Sequence, residues 1–454
     1  MLKEYEKYTE TNNRWIYKVP AHWTNTSLRA LLESISDKGH TEYPLLSVTR
    51  ERGVILRNIE SKEENHNYIP DDLSNYKLVK KNQFVINKMK SWQGSYGVSG
   101  YDGIVSPAYF VFDLKIDNKK YFNKAIRSRA YIPFFSQYSV GIRVGQWDLD
   151  INKIKNFPFY VPPKPEQDKI VQFLDWKTSE MNRFIYQKKK QIKLLKELKL
   201  SIIDKAVTKG IDNVELKYSG HTWIGNIPKH WNMEYSKHFF ILRKDKAFKD
   251  DEQLTSSQQY GIISQKKYME LENRRVTVVM TGDDILKHVE AGDFVISMRS
   301  FQGGIEYSTL NGKISSAYVM LIPNHKFVND EYYKWLFKSQ SYIKALQGTS
   351  DLVRDGQALR YSNFAKVYLP NIPLDEQQRI ADYLNEKTPQ IDKAIIEINK
   401  EITLVEELRT KLISDVVTGQ VDVRNVKIPA YETETDIIDS EEDSDEENQE
   451  ESTE

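Results

Sequence analysis

The sequence predicts an α+β protein in two duplicated halves, each a mixed domain followed by a long helix. The first observation behind this is a stretch that occurs twice. Pro163-Lys-Pro-Glu-Gln-Asp-Lys-Ile170 runs on to Val207-Thr-Lys-Gly210, and Pro373-Leu-Asp-Glu-Gln-Gln-Arg-Ile380 runs on to Val417-Thr-Gly-Gln420. The second is that further matches keep nearly the same offset. Pro20-Ala-His-Trp23 returns as Pro228-Lys-His-Trp231, and Ser91-Trp-Gln-Gly94 as Ser300-Phe-Gln-Gly303. Gly103-Ile-Val-Ser-Pro-Ala-Tyr109 returns as Gly312-Lys-Ile-Ser-Ser-Ala-Tyr318, so all offsets fall between 208 and 210. A period this long marks a duplication, since solenoid repeats are several-fold shorter. The third is a long apolar seam in each repeated stretch, with the spacing of paired helices.

Taken in order, the first half opens with short β-rich runs at 43–49, 83–86 and 109–112, bounded by Gly, Asn and Pro. The second half answers with runs at 260–264, 275–279, 293–296 and 318–322, and with a short helix at 331–337. Strands mixed with short helices describe an α+β domain of ordinary size. The boundaries expected are 1–162 and 213–372 for the two mixed domains, 163–212 and 373–424 for the helical regions, and 425–454 for an acidic tail.

Each helical region is expected to be a short helix, a break, and a longer helix. The first break falls at Lys177-Thr178. In the second copy Thr388 is the natural N-cap and Pro389 the first helical residue. Ile192, Leu195, Leu198 and Ile202 follow in the first seam, and Ile395, Ile398, Ile402, Val405 and Leu412 in the second. Residues 178–209 carry 9 Lys/Arg and 3 Asp/Glu, whereas 388–419 carry 4 and 6. Opposite charge favours pairing between the two copies over pairing of either with itself.

The net charge of zero hides a strong asymmetry. Residues 432–454 hold 13 Asp/Glu and no Lys/Arg, so 65 basic residues elsewhere face 52 acidic ones, a body of +13. A basic body of this size points to a polyanionic partner, most often nucleic acid. The tail cannot bury a core and is expected to be disordered. No cysteine occurs, which excludes disulfides and thiolate metal sites. The first residues lack an apolar leader and no uncharged run is long enough to span a bilayer, so a cytoplasmic protein without membrane contact is expected.

Signals for catalysis are sparse. Asn311-Gly312-Lys313 lacks the earlier glycine of a phosphate loop, no HExxH occurs, and the eight histidines have no metal-ligand spacing. Asn156-Phe-Pro-Phe159 lacks the second proline of an amino-methyltransferase turn, and Asp71-Asp72 and Asp283-Asp284 read as turn residues. Signals for binding are better. Lys88-Met-Lys-Ser-Trp-Gln-Gly-Ser-Tyr-Gly97 and Met298-Arg-Ser-Phe-Gln-Gly-Gly304 each follow a strand and combine cations, an amide and permissive glycines. Such side chains contact phosphates and base edges. The DNA-contacting candidates in these loops are Lys88, Lys90, Ser91, Gln93, Ser95 and Tyr96, with Arg299, Ser300 and Gln302 in the second half; Trp92 and Phe301 are expected in the core. Arg50 and Arg52 form a second basic loop, matched to Lys266 and Lys267. Arg143 and Gln146 are echoed by Arg354 and Gln357, followed by Arg360.

With its duplicated halves, its two Pro-x-x-Glu-Gln-x-x-Ile motifs, Leu45-Leu-Ser-Val48 and Ser106-Pro-Ala-Tyr109, the chain resembles the specificity subunits of type I restriction–modification systems. The resemblance covers all but the acidic tail. It implies two target recognition domains, each reading one half of a bipartite asymmetric DNA site, and helices paired as an antiparallel coiled coil that spaces them. Glu166, Gln167, Ile170, Glu376, Gln377 and Ile380 would belong, with the seam residues, to this spacer and its subunit interface. It further implies no catalysis by this chain, two docked methyltransferase (M) subunits with room for restriction (R) subunits, and S-adenosylmethionine, ATP and Mg held by those partners. Two other readings stand beside it. A DNA-modifying enzyme would need catalytic motifs, and a coiled-coil scaffold without nucleic acid would leave the basic body unexplained.

Overall fold

The computed structural model describes residues 3–58, 69–141, 147–273, 285–298, 300–349 and 359–431. The expected strand at 275–279 and the acidic tail from 432 lie outside the described residues. The chain forms two compact units. Unit 1 comprises residues 1–188 and 400–454, and unit 2 residues 189–399. Each long helix is thus shared between the units, where the sequence had suggested separate helical regions.

The duplication is visible strand by strand. Unit 1 has a four-stranded antiparallel sheet in the order Leu32–Ile35, Tyr109–Leu114, Phe84–Asn87, Tyr96–Val98. Unit 2 repeats it as Phe240–Leu242, Val319–Pro323, Phe294–Ile296, Glu306–Tyr307. The strand Phe84–Asn87 is apolar on both faces because both are covered. Phe84 and Ile86 point into the main core with Phe112, Phe122 and Phe159, while Val85 joins Val48, Val54 and Val111 in a smaller cluster. In unit 2, Phe294 and Ile296 divide from Val295 in the same way. Alternation with period two puts one strand into two cores.

The repeated Glu-Gln pairs lock each domain to its helix. In unit 1 Glu166 accepts hydrogen bonds from Tyr5 Oη at 2.6 Å and Trp23 Nε1 at 2.9 Å, and pairs with His22 Nε2 at 2.7 Å. In unit 2 Glu376 pairs with His230 Nε2 at 2.8 Å. Gln167 donates to the Pro162 carbonyl and accepts from the backbone of Asn118, the residue that caps helix Lys119–Ile126. Gln377 does the same between Ile372 and Asn329, which caps helix Asp330–Leu336. Ile170 and Ile380 are fully buried in the two main cores. The motif residues therefore face the interior of their own units, and the expectation that they lie on a subunit interface is corrected: buried and bonded within the chain, they offer nothing to a partner.

Each core is closed by the far end of a long helix. Val416 and Val417 sit in the core of unit 1, and Tyr121 Oη reaches the Val417 carbonyl at 3.3 Å. Ala206 and Val207 sit in the core of unit 2, and Tyr332 Oη reaches the Val207 carbonyl at 2.7 Å. Gly210 and Gly419, both at φ +73°, end the helices against Trp231 and Trp23, respectively. A glycine is needed there because a side chain at that φ is strained and, at Gly419, a Cβ would meet the Pro20 ring.

The expected breaks do not occur. The first long helix runs unbroken over Lys164–Lys209 and the second over Leu374–Val417. Thr178 and Thr388 instead donate their hydroxyls back to the carbonyls of Leu174 and Leu384, at 2.7 and 2.8 Å. This satisfies the hydroxyl inside the helix, and Pro389 lies within the second helix. The helices run antiparallel inside each unit. In unit 1 Asn182 faces Arg409 at 2.5 Å and Lys188 faces Glu401 at 2.6 Å. In unit 2 Lys199 faces Asp392 at 2.7 Å, and Asp212 faces Arg379 at 2.8 Å. Ile398 and Ile402 are buried, and Ile192, Leu195, Ile202, Ile395, Val405 and Leu412 half-buried. Leu198 departs from the expected seam at 50% exposure, while Ile203 is buried. An α-helix drifts against a strict seven-residue repeat, so a seam residue can rotate outward.

Candidate nucleic-acid interface

In unit 1 the strands Leu46–Thr49 and Gly53–Leu56 form a hairpin whose turn is Arg50-Glu51-Arg52. Arg127, just past helix Lys119–Ile126, holds that turn. Its guanidinium donates to the carbonyls of Arg50 and Glu51, both at 2.9 Å, and to that of Tyr96. Burial disfavours its charged form, and the neighbouring Glu51 works the other way. Beside the turn lies a cleft of about 560 Å³ lined by Arg50, Gln93, Arg127, Arg129 and Lys124, and closed by Asn182 and Arg409 from the helices. Lys124 is paired with Asp175 at 2.7 Å. The cleft is strongly cationic and open to a polyanion, whose phosphates such a surface attracts.

The predicted residues divide into several groups. Arg50, Arg52 and Lys90 are exposed, and Gln93 is half-buried in the cleft wall. Lys88 is tied to Asp148 at 2.6 Å. Ser91, Ser95 and Tyr96 are overturned as contact residues, because all three are buried, with Tyr96 stacked on Phe135 at 3.9 Å between centroids. Burial also pushes the Tyr96 hydroxyl pKa far up. Phe301 packs against the second core as expected, whereas Trp92 is half-buried against Trp147 outside the core clusters.

In unit 2 the equivalent hairpin joins Leu254–Ser257 to Gly261–Ser264. Its turn is Gln258-Gln259-Tyr260, so Lys266 and Lys267 are not the counterparts of Arg50 and Arg52. They begin helix Gln265–Glu272, where Ser264 caps the backbone of Lys267. Ser300 is fully buried, which removes it as a contact, while Gln302 is exposed. Arg360 is exposed at the start of the short helix Tyr361–Phe364. Arg143, Gln146, Arg299, Arg354 and Gln357 lie outside the described residues.

Lys124, Arg127, Arg129, Asn182 and Arg409 were missed by sequence reasoning. They come from the end of a domain helix, the turn after it and both long helices, and no local motif joins them. Only the match of Arg127 with Lys338, at nearly the offset of the repeat, could have marked the position.

The fold agrees with one in a solved assembly. A chain from structural work on complex assembly and conformational transition of the type I R-M system aligns over 88% of this chain and 99% of its own, with TM-score 0.63 and 13% identity. That likeness is one of fold. In sequence, the type I restriction enzyme MjaVIII specificity subunit of Methanocaldococcus jannaschii is 23% identical over 302 residues. That alignment takes in 61% of this chain and spans 65% of the relative's length. The HsdS subunit of Thermoanaerobacter tengcongensis also aligns, over 89% of this chain and 98% of its own, at TM-score 0.49 and 13% identity. No family model matches the chain. Among the described residues no helix is long and apolar enough to cross a membrane.

Proposed function

We propose that this chain is the non-catalytic specificity subunit of a type I restriction–modification complex. Each unit reads one half of a bipartite, asymmetric DNA site, and the paired helices set the spacing of the halves. The observation that carries this is the twice-built unit, locked to one long helix through Glu166 or Glu376 and closed by the end of the other. That architecture supports a reading in which one chain carries two recognition modules and its helices space them. The cationic cleft of unit 1 and the +13 body support a polyanionic ligand. Methyltransferase subunits dock on the helices, where Leu194, Leu198, Ile396, Leu404 and Leu408 are each at least half exposed. S-adenosylmethionine, ATP and Mg belong to those partners, and a restriction subunit joins through the same assembly.

The test is co-expression with the methyltransferase partner, followed by DNA binding across a salt series and sequencing of methylated motifs. A single bipartite motif, with affinity that falls steeply as salt rises, is the expected result. A complex that assembles but ignores DNA would favour a coiled-coil scaffold instead.

A further inference from the structure

The two units hold one equivalent slot in opposite electrical states. In unit 1 the strand register sets Gly97 opposite Val85; in unit 2 it sets Glu306 opposite Val295. Glu306 therefore stands where unit 1 has a glycine. The capping residues Asn118 and Asn329 are 211 positions apart, and so are Arg127 and Lys338. Lys338 therefore stands where unit 1 has Arg127.

The consequences differ. In unit 1 both flanking glycines leave room for the guanidinium. A Cβ on Gly53 would come within 3.0 Å of Arg127 Nη1, and one on Gly97 within 3.5 Å. The three hydrogen-bond partners of Arg127 are backbone carbonyls, and the carboxylate that acts on it, Glu51 of the same turn, is exposed to solvent. In unit 2 Lys338 is paired with Glu306, a residue 6% exposed, whose other carboxylate oxygen lies beside Gly261, the counterpart of Gly53. One slot meets only carbonyls and an exposed carboxylate, and the other closes its cation with a buried one. The turns above them follow suit, with Arg50-Glu51-Arg52 in unit 1 and Gln258-Gln259-Tyr260 in unit 2.

We propose that the two units grip DNA unequally. The slot and turn of unit 1 form an anchor for the phosphodiester backbone, with Arg127 as the positioning residue that presents Arg50 and Arg52. Among the described residues unit 2 has no such cationic slot and turn, and it engages its half-site through the neutral amides Gln258, Gln259 and Gln302. The inference rests on the DNA-reading function proposed above. Phosphate contacts supply affinity and salt dependence, whereas amides aimed at base edges supply discrimination. The first unit therefore dominates affinity, and the second contributes mainly selectivity.

The test uses the full chain in complex with its methyltransferase subunits and a duplex carrying the motif found by methylation sequencing. The slope of log affinity against log salt is measured for each variant. R50Q/R52Q, on an exposed turn that leaves the core intact, is expected to flatten the slope by about 0.9 for each phosphate no longer neutralised. Q258A/Q259A is expected to leave the slope unchanged and to relax base preference only in the half-site of unit 2. R127K keeps the charge but cannot span three carbonyls, so it should flatten the slope as R50Q/R52Q does. E306Q, which releases the charge of Lys338, should steepen it. Equal slope changes from the two turns, or an unchanged slope in R50Q/R52Q, would overturn the inference. A full slope retained in R127K would overturn the positioning role. A wild-type complex without salt-dependent, site-selective binding would instead overturn the DNA-reading function itself.

Discussion

Glu166 shows how far a single buried carboxylate can organise a domain. It gathers Tyr5, His22 and Trp23 from the N-terminal segment onto the first turn of a long helix, whereas Glu376 engages His230 and leaves the buried Trp231 Nε1 without a partner. Removing the acceptor strands buried donors, each at a cost of about 1–3 kcal/mol. Glu166→Ala should therefore destabilise unit 1 by about 3–5 kcal/mol, and Glu376→Ala should destabilise unit 2 by clearly less. Urea unfolding followed by hydrogen exchange in each unit checks this, and equal losses would count against the account. The residue scale is also where the sequence was least legible. The Pro-x-His-Trp and Pro-x-x-Glu-Gln motifs could be read as repeats, but nothing in their spacing showed that one binds the other across more than 140 residues. Ser91, Ser95 and Tyr96 looked like loop side chains because they adjoin exposed cations. They are buried because the loop folds back, carrying Tyr96 into a strand against Phe135.

At the scale of elements, strands and helices were readable because their periodicities are strong, and their ends were not. The buried run Phe84–Asn87 and its copy Phe294–Ile296 were found within a residue or two. The second break was expected because Thr388-Pro389 is a good N-terminal signal in isolation and the first because Thr178 stands at the equivalent place, yet both threonine hydroxyls bond back within an unbroken helix, which leaves no mark in the sequence. The pairing of the helices makes two predictions. With no native cysteine, N182C/R409C should be joined within one chain by a short bismaleimide, since these side chains touch at 2.5 Å. Cross-links forming only between chains would contradict the antiparallel arrangement. Ile402→Asp, which places an uncompensated charge at a buried seam position, should cost about 3 kcal/mol or more. Leu404→Glu, at a position 63% exposed, should leave stability within about 0.5 kcal/mol. If the exposed leucines dock the methyltransferase, Leu404→Glu will nonetheless abolish co-purification; retention of the partner would place docking elsewhere.

For the whole molecule the connectivity is the decisive constraint. Each long helix begins at the lock of one unit and ends in the core of the other, so neither can change length alone without pulling Val207 or Val417 from its core. Seven residues inserted only near position 190 should therefore lower the stability of unit 2 and yield poorly folded protein. Matched insertions of seven residues near 190 and near 399 keep the two helices equal and return each apolar face to within about 20° of its place. They lengthen the pair by about 10 Å at the usual rise per residue. If the helices are a ruler between two DNA-reading units, this adds about three base pairs to the gap, at 3.4 Å each. Neither recognition surface is touched, because the cleft of unit 1 and the turn of unit 2 lie away from both insertion points in the chain. Methylome sequencing should then return the same two half-sites at a wider spacing. Altered half-site bases would mean that the helices help to read the sequence, and an unchanged gap would mean that something other than helix length sets it.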